Sequence, residues 1–599
     1  LDGSQQKAWN GETYAYSKYG NKLEDYFDTG FSQNHNVSVS NGTETSHYRA
    51  SVGISDSKGV FPNEKLNRVN IDLNAGTELN KWMSMDGKIS LSRTKATDRP
   101  EYGNYGAINQ LMGIPHNVRL DDLKQYSTEN RVHSNWYGPT AGIRNPYYVL
   151  NQRHNSDERW RAFGYYGAKI NFTDWLHLSA KYAFDYYRTR VENTNGGDGI
   201  SGESFPSQIK DDKMDRGEEN FFESNAEFVL MGDRQLTDNF RLGFTAGANF
   251  MYQKFENLTA GVGNMHTKGL WMFNASNLLR TAANVERERA MNSVFGSVQM
   301  SWKEYLSLDI TARNDWSSAL AYTDGYSFFY PSVGASLLLN RFVDMGRNID
   351  LFKFRGSYSI VGNDVPVYKT NPRYTYGDQG AINPPESVPF RTLKPEKTHS
   401  FEVGFDGEFF QHRLHVNATY YKTNTKNQYF EVTLPWESGY KSQFVNAGNV
   451  QNQGFELTAG WFQDFGNEFT WSTDLNLSYN DNKIIELFDG IQDGVTVSNL
   501  GGAKVILYEG GQYGDLYVRT LKRDESGKLV TETPEGADYQ IPVNGGEQNS
   551  DLKYMGNMNS KWNMGWNNTF RYKDFSLSFL IDFRFGGKVL SMTEAGLDA

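Results

Sequence analysis

The chain contains no cysteine among its 599 residues, which removes disulfides, thiolate metal sites and cysteine nucleophiles together. It has no run of 18 apolar residues, so helices that cross a membrane are excluded, although strands that cross one are not. An excess of basic residues is missing too. The net charge of −11 leaves no basic stripe to meet the phosphates of a nucleic acid. The signatures of common enzymes do not occur: no GxxxxGK[ST] phosphate loop, no HExxH helix, no GxSxG elbow and no EF-hand ladder. The ten histidines are scattered, and His35, His47 and His116 show no metal-ligand spacing. No catalytic residue, no metal site and no cofactor is therefore expected.

What is abundant is aromatic. Hydrophobic residues reach only 38% of the chain, yet aromatics make up 15%, with 36 Tyr and 38 Phe. Low bulk hydrophobicity with many aromatics suits strands that are half polar and half greasy. Alternation of that kind recurs along the chain. "RVNIDLN" sets Val69, Ile71 and Leu73 against Asn70, Asp72 and Asn74. "RLGFTAGANFMY" gives the row Leu242, Phe244, Ala246, Ala248, Phe250, Tyr252, and "FTWSTDLNLSY" runs from Phe469 to Tyr479 in the same way. "DFSLSFLIDFRFGG" puts Phe575, Leu577, Phe579, Ile581, Phe583 and Phe585 on one face and Ser576, Asp582 and Arg584 on the other. Roughly 17 or 18 strands follow, many of about ten residues, the length of a tilted membrane strand.

The connections decide between fold classes. Short ones, such as those at 171–175, 303–305, 411–412 and 465–468, alternate with long ones near 95–157, 191–218, 254–286, 362–395, 431–450 and 481–558. Strict alternation places every tight turn at one end of a cylinder and every long loop at the other, as in an outer-membrane barrel. A propeller would repeat at about 40–50 residues, and no such period occurs. The expected fold is all-β, a large antiparallel transmembrane β-barrel with its Phe rows toward lipid and its polar rows toward a lumen. Tyr186, Tyr252, Tyr479 and Tyr572 are expected in the interfacial aromatic girdles.

Several stretches carry a resemblance. "TGFSQNHNVSVSNGTETSHYRASVGISDSKGV" (29–60), "NPYYVLN" (145–151), "RNDWSSAL" with "FFYPSVGASLLLN", "LKPEKTHSFEVGFDGEFF", "NAGNVQNQGFELTAGW" and "EGGQYGDLY" follow one another in this order. The order resembles that of the SusC/RagA family of TonB-dependent outer-membrane transporters of Bacteroidetes. The resemblance implies a 22-stranded barrel around a plug, a SusD-like surface lipoprotein as lid, and energy from TonB–ExbB–ExbD. It also implies a dimer of transporter–lid pairs and an oligosaccharide, or alternatively an oligopeptide, as substrate. Residues 1–30 are expected to link an absent plug to the barrel, and 31–599 to form a barrel lacking its last strands. Both ends, "LDGSQQ" and "SMTEAGLDA", are expected to be cut points in a longer polypeptide. The rival readings are a passive porin and a surface glycan-binding or hydrolytic β protein.

A glycan offers apolar C–H faces and hydroxyls that need partners, so aromatic platforms beside polar groups are the expected ligand contacts. The loop candidates are Trp136, Tyr137, Trp271, Trp316, Tyr322 and Trp436. "NTNGGDGISGESF" (193–205) is a weaker candidate for Ca²⁺, since the same composition serves any flexible loop. "GDLYVRTLKRDESGKLVTE" (514–532) is expected as a small hairpin turning at "ESGK".

Overall fold

Alternation of apolar and polar residues over about ten positions has one regular solution, a strand with one face of each kind. Eighteen long strands form among the described residues and are collected in one sheet. The computed structural model describes residues 2–7, 11–20, 23–101, 106–127, 135, 145–196, 212–267, 269–371, 373–377, 381–390, 393–433, 436–446, 448–487, 494–500, 502–536, 538–546 and 548–591.

One compact unit takes in Leu1–Phe228 and Asn249–Ala290. It holds β1 (Phe31–Gly42), β2 (Ser46–Lys58), β3 (Lys65–Asn80), β4 (Met83–Thr97), β5 (Arg153–Asn171) and β6 (Leu176–Asn195). Parts of β7 (Lys213–Thr237), β8 (Phe240–Met265) and β9 (Ser276–Trp302) belong to it as well. Register fixes two faces. Val37, Val52, Ile71, Leu91, Ala162 and Tyr186 lie directly opposite one another across β1 to β6. One residue along, Asn36, Gly53, Asn70, Ser92, Arg161 and Tyr187 do the same on the other face. A slip of one residue at any strand would exchange these faces, so the register is strongly specified.

The second unit takes in Val229–Ala248 and Met291–Ser591. Its further strands are β10 (Leu306–Ser317), β11 (Ser327–Leu338), β12 (Ile349–Asn363), β13 (Glu396–Phe409) and β14 (Leu414–Lys426). They are followed by β15 (Asn449–Asp464), β16 (Phe469–Glu486), β17 (Trp562–Tyr572) and β18 (Phe575–Phe585). Val403, Tyr420, Phe455, Tyr479, Trp562 and Phe585 form an apolar row across β13 to β18. The Phe row of β18 therefore shares the face of Trp562 and Trp566. Ser576, Asp582 and Arg584 lie on the opposite face.

In each unit the connections keep the expected alternation. The tight turns of the first unit include 81–82 and 172–175, those of the second 303–305, 410–413, 465–468 and 573–574. Asn467 and Glu468 both have positive φ, 51° and 64°, a backbone sense that matches the right-handed twist of the flanking strands. The long connections differ from expectation in extent. The expected loop at 254–286 is mostly strand, because β8 runs to Met265 and β9 begins at Ser276. Beyond Tyr252 the apolar row turns charged: Lys254 pairs with Glu256 at 2.9 Å and Glu286 at 3.0 Å. Arg188 pairs likewise with Glu218 at 2.6 Å, and Arg216 with Glu192 at 2.7 Å. Hydrophobic alternation ends where the greasy band ends, while the backbone ladder continues on ion pairs.

The connections carry small cores of their own. In the first unit Tyr26, Leu111, Val118, Leu120 and Leu123 are buried together. Two short helices, α1 (Ala107–Met112) and α2 (Pro146–Gln152), lie in that connection. Asn145 caps α2, its Oδ1 accepting from Tyr147 N at 2.9 Å while its Nδ2 donates to Leu123 O at 2.9 Å. Tyr19 and Tyr26 tie the segment before β1 to this connection: Tyr26 Oη donates to Pro146 O at 3.1 Å, and Tyr19 N to His116 O at 2.9 Å. Burial pushes the Tyr26 hydroxyl ionisation upward, which keeps it a neutral donor. In the second unit Ala319, Leu320, Phe328, Val365 and Leu393 make a similar core. The turn expected at "ESGK" is present, with Arg523 bridged to Leu529. Its arms separate afterwards: Asp515–Val518 pairs with Lys553–Asn557, and Thr531–Glu532 with Ile541–Pro542.

The two faces make a sharp prediction. Leu475 lies on the apolar face between Ala459 and Trp566, and Asn476 on the polar face between Thr458 and Gly565. Leu475→Arg is expected to cost roughly 2–4 kcal/mol of folding stability in liposomes, and Asn476→Arg within about 0.5 kcal/mol. Denaturant titration of tryptophan fluorescence reads both.

Candidate functional site

The polar faces supply side chains that can meet a ligand. In the first unit three rows cross β3, β4, β5 and β6 side by side: Arg68–Thr94–Arg159–Thr189, Asn70–Ser92–Arg161–Tyr187 and Asp72–Ser90–Phe163–Asp185. Their β3, β4 and β5 members line a concavity of about 530 Å³ that also includes Arg99 and Asp157. Two of its four arginines are neutralised. Arg161 holds Asp185 through two bonds of 2.8 and 2.6 Å, and Arg99 holds Asp157 at 2.6 Å. The other two are braced by neutral groups. Arg68 Nε donates to Thr94 Oγ1 at 3.3 Å, and Arg159 Nε to Thr189 Oγ1 at 2.9 Å. The Arg159 guanidinium also sits 4.6 Å from the centre of the Tyr187 ring, which stacks on Phe221 in turn.

In the second unit the polar face is knit more tightly. Arg313 donates to Asp315 at 2.7 Å and to Ser293 at 2.7 Å, and Tyr330 donates to Asp315 as well. Arg355 donates to Asn417 at 3.2 Å and Thr419 at 2.5 Å and stands 3.6 Å from Asp406. Asn452 accepts from Asn480 at 3.2 Å and Asn482 at 2.9 Å. These are acceptors and donors on a wetted wall, suited to a hydroxyl- or amide-rich ligand; no group of three or more metal-ligating side chains occurs among the described residues.

The aromatic candidates fall in different places. Trp271 is half-buried in the connection after β8, just before the one-turn helix Phe273–Ala275. Trp316 stands opposite Asn292 and Ser327 and continues the row Leu306, Leu308, Ile310, Ala312, Asn314. That row is on the apolar face, so register sets Trp316 on the opposite side of the sheet from Arg313 and Asp315. Tyr322 is 79% exposed with φ of 68°. Trp436 begins the one-turn helix Trp436–Ser438. Trp136 and Tyr137, and most of the 193–205 segment, lie outside the described residues. The arginines of the first unit were not singled out from sequence. Arg159 and Arg161 on alternate positions of "ERWRAF" were the available signal, but Arg68 joins them only through register.

A large antiparallel sheet with one greasy and one polar face, tight turns at one end and long connections at the other defines an outer-membrane β-barrel protein. Comparison with known proteins gives the family. The model described as "TonB dependent receptor-like, beta-barrel" matches residues 117–576, and the chain belongs to that family. It is 26% identical over 607 residues to TonB-dependent receptor P3 of Formosa agariphila, covering 95% of this chain and 58% of the relative. It is 22% identical over 633 residues to TonB-dependent receptor SusC of Bacteroides thetaiotaomicron, covering 97% and 60%. Its fold matches a solved structure of the RagAB peptide transporter with a TM-score of 0.76 at 17% identity, over 97% of this chain and 63% of that one. The chain thus spans about three-fifths of the length of the curated relatives it matches. The family is one of outer-membrane transporters rather than enzymes, so the apolar face meets lipid and the polar face the lumen. The lipid-facing row of β8 agrees in size. From Leu242 to Tyr252 it spans about 34 Å along the strand, or about 26 Å across a bilayer at a tilt of about 40°.

The Arg355 network yields a second prediction. Arg355→Met leaves Asp406 without its cation and two hydrogen bonds unmade, at an expected cost of about 1–3 kcal/mol. Adding Asp406→Asn should recover part of that loss. A double-mutant cycle on denaturant unfolding measures the coupling, expected at roughly 0.5–1 kcal/mol for a half-exposed pair.

Proposed function

We propose that this chain is the barrel portion of a SusC-like importer that takes oligosaccharides across the outer membrane. In this reading a SusD-like lipoprotein closes the outer mouth, TonB–ExbB–ExbD supplies energy through a plug, and two transporter–lid pairs associate. The observation that carries it is the lumenal wall. Rows of Asn, Ser, Thr and Arg side chains face inward with no catalytic constellation among the described residues, which suits capture and passage rather than bond cleavage. Similarity to SusC supports the type of transporter. Further barrel strands are taken to lie beside β1 and β18, because β1 is exposed along its whole length and β18 at all but two positions. A strand edge left unpaired in lipid is costly.

The test is native mass spectrometry of the full-length protein extracted from outer membranes, with uptake measured in cells lacking its gene. Expected are a copurifying lipoprotein, a retained oligosaccharide and loss of oligosaccharide uptake, with uptake in wild-type cells abolished by a protonophore. Retained peptides in place of sugars would make it a peptide importer. An open conductance without TonB would make it a porin.

A further inference from the structure

We infer that the concavity on the lumenal face of β3 to β5 is a subsite for the acidic groups, carboxylate or sulfate, of an anionic oligosaccharide. The inference rests on the importer reading and narrows its substrate class. Four arginines face two aspartates in the lining, Asp72 and Asp157. Asp72 accepts from Ser90 and makes no ion pair among the described residues, and Asp157 is held by Arg99. Arg161 is matched by Asp185 just outside the lining. Arg68 and Arg159 remain. Both are exposed, and neither has a carboxylate within ion-pairing distance among the described residues. Their Nε atoms are already spent on Thr94 and Thr189, which leaves the outer nitrogens of each fork free to point at a ligand.

Register supplies the spacing. Arg68 and Arg159 stand directly across from Thr94 on either side, two strands apart, so their Cα atoms are about 9.6 Å from each other. Arg68 leans over β4 to Thr94 and Arg159 over β6 to Thr189, so both forks tilt the same way along the row, and each offers its outer nitrogens to an acidic group of a ligand lying across it. Tyr187 under Arg159 and Phe163 under Arg161 hold the forks in place at 4.6 and 4.7 Å from the ring centres. The surrounding Asn70, Ser90, Ser92 and Thr94 are neutral donors and acceptors, suited to sugar hydroxyls.

A peptide is the less suited ligand. The backbone groups of β3, β4 and β5, which carry the lining, are committed to ladder pairs on both sides, so no strand edge is open among them for an extended main chain to join. Recognition must come from side chains alone, and the side chains present read hydroxyls and negative charge.

Full-length receptor is offered an equimolar mixture of neutral, carboxylated and sulfated oligosaccharides with glutamate-rich peptides, and the bound fraction is identified by mass spectrometry. Crystals are soaked separately in selenate and the anomalous signal is mapped. Expected are at least tenfold enrichment of acidic sugars, falling as salt rises, and a selenate peak at the fork of Arg68 or of Arg159. R68Q/R159Q should lose both, and R68K/R159K should keep a weaker charge preference; a heat-modified gel shift confirms that each variant is folded. Preferential binding of neutral sugars overturns the inference and leaves the importer reading intact. Binding of peptides alone overturns both. Selenate at the site with no acidic sugar bound reduces it to an adventitious ion only, and absence of the peak in the wild type refutes the subsite.

Discussion

Hydrocarbon offers no partner to a peptide group, so every backbone N–H and C=O that crosses the bilayer must be paired inside the sheet. The rest of this molecule depends on that constraint. It demands long uninterrupted registers, such as the pairing of Arg153–Asn171 with His177–Asn195 along a single hairpin. It also reverses the usual placement of apolar side chains. Val52, Ile71, Tyr186, Phe401 and Phe579 are exposed to the outside, where a soluble protein would bury them. No central core is then available to hold the loops, and the connections meet the need locally. Leu123 and Leu320 are fully buried, each in the small cluster of its own connection.

The polar face follows from the same cause. Because each strand alternates, every lipid-facing residue brings a lumen-facing neighbour, and those neighbours need partners of their own. In the second unit they find one another: Arg313 with Asp315 and Ser293, Arg355 with Asn417 and Thr419. These bonds cross from strand to strand at the spacing the ladder sets, so they brace the wall and fix its chemistry together. In the first unit the matching is incomplete. In the lining of its concavity four arginines face two aspartates, and Arg68 and Arg159 are the two left without an ion pair among the described residues. A wall that satisfies its own charges presents a neutral surface; one that leaves two forks without a carboxylate presents a positive one.

Which parts of this were legible in the sequence follows from the same physics. Strand number and facing were legible because lipid imposes a period of two that survives in any one strand, as in Leu242 to Tyr252. Strand ends were not. Past the bilayer the ladder persists while the greasy signal stops, so residues 254–265 and 276–286 read as loop and fold as strand. The site was hidden for a related reason. Trp316 is conspicuous in "NDWSS" yet register gives it to the lipid side, since its row-mates are Ile310 and Leu308. Arg68 is inconspicuous in "LNRVN" yet register brings it to Arg159. Side-chain type is written in one strand, but which strands meet and at what offset is written only in the whole sheet.

This difference decides how such a barrel can change its ligand. Moving one arginine by one residue along β3 or β5 would transfer it from lumen to lipid, at roughly 2–4 kcal/mol near the bilayer centre, so charge on the wall shifts only in steps of two. At each allowed position the neighbours are set by register: a residue at 68 always faces one at 94, and that one always faces 159. Selectivity on the wall is therefore a property of a row across strands, not of a motif along one. Loops are free of this rule, and aromatic residues there can alter by any step. A receptor of this build can keep a coarse preference for charge in its rows while its connections explore shape.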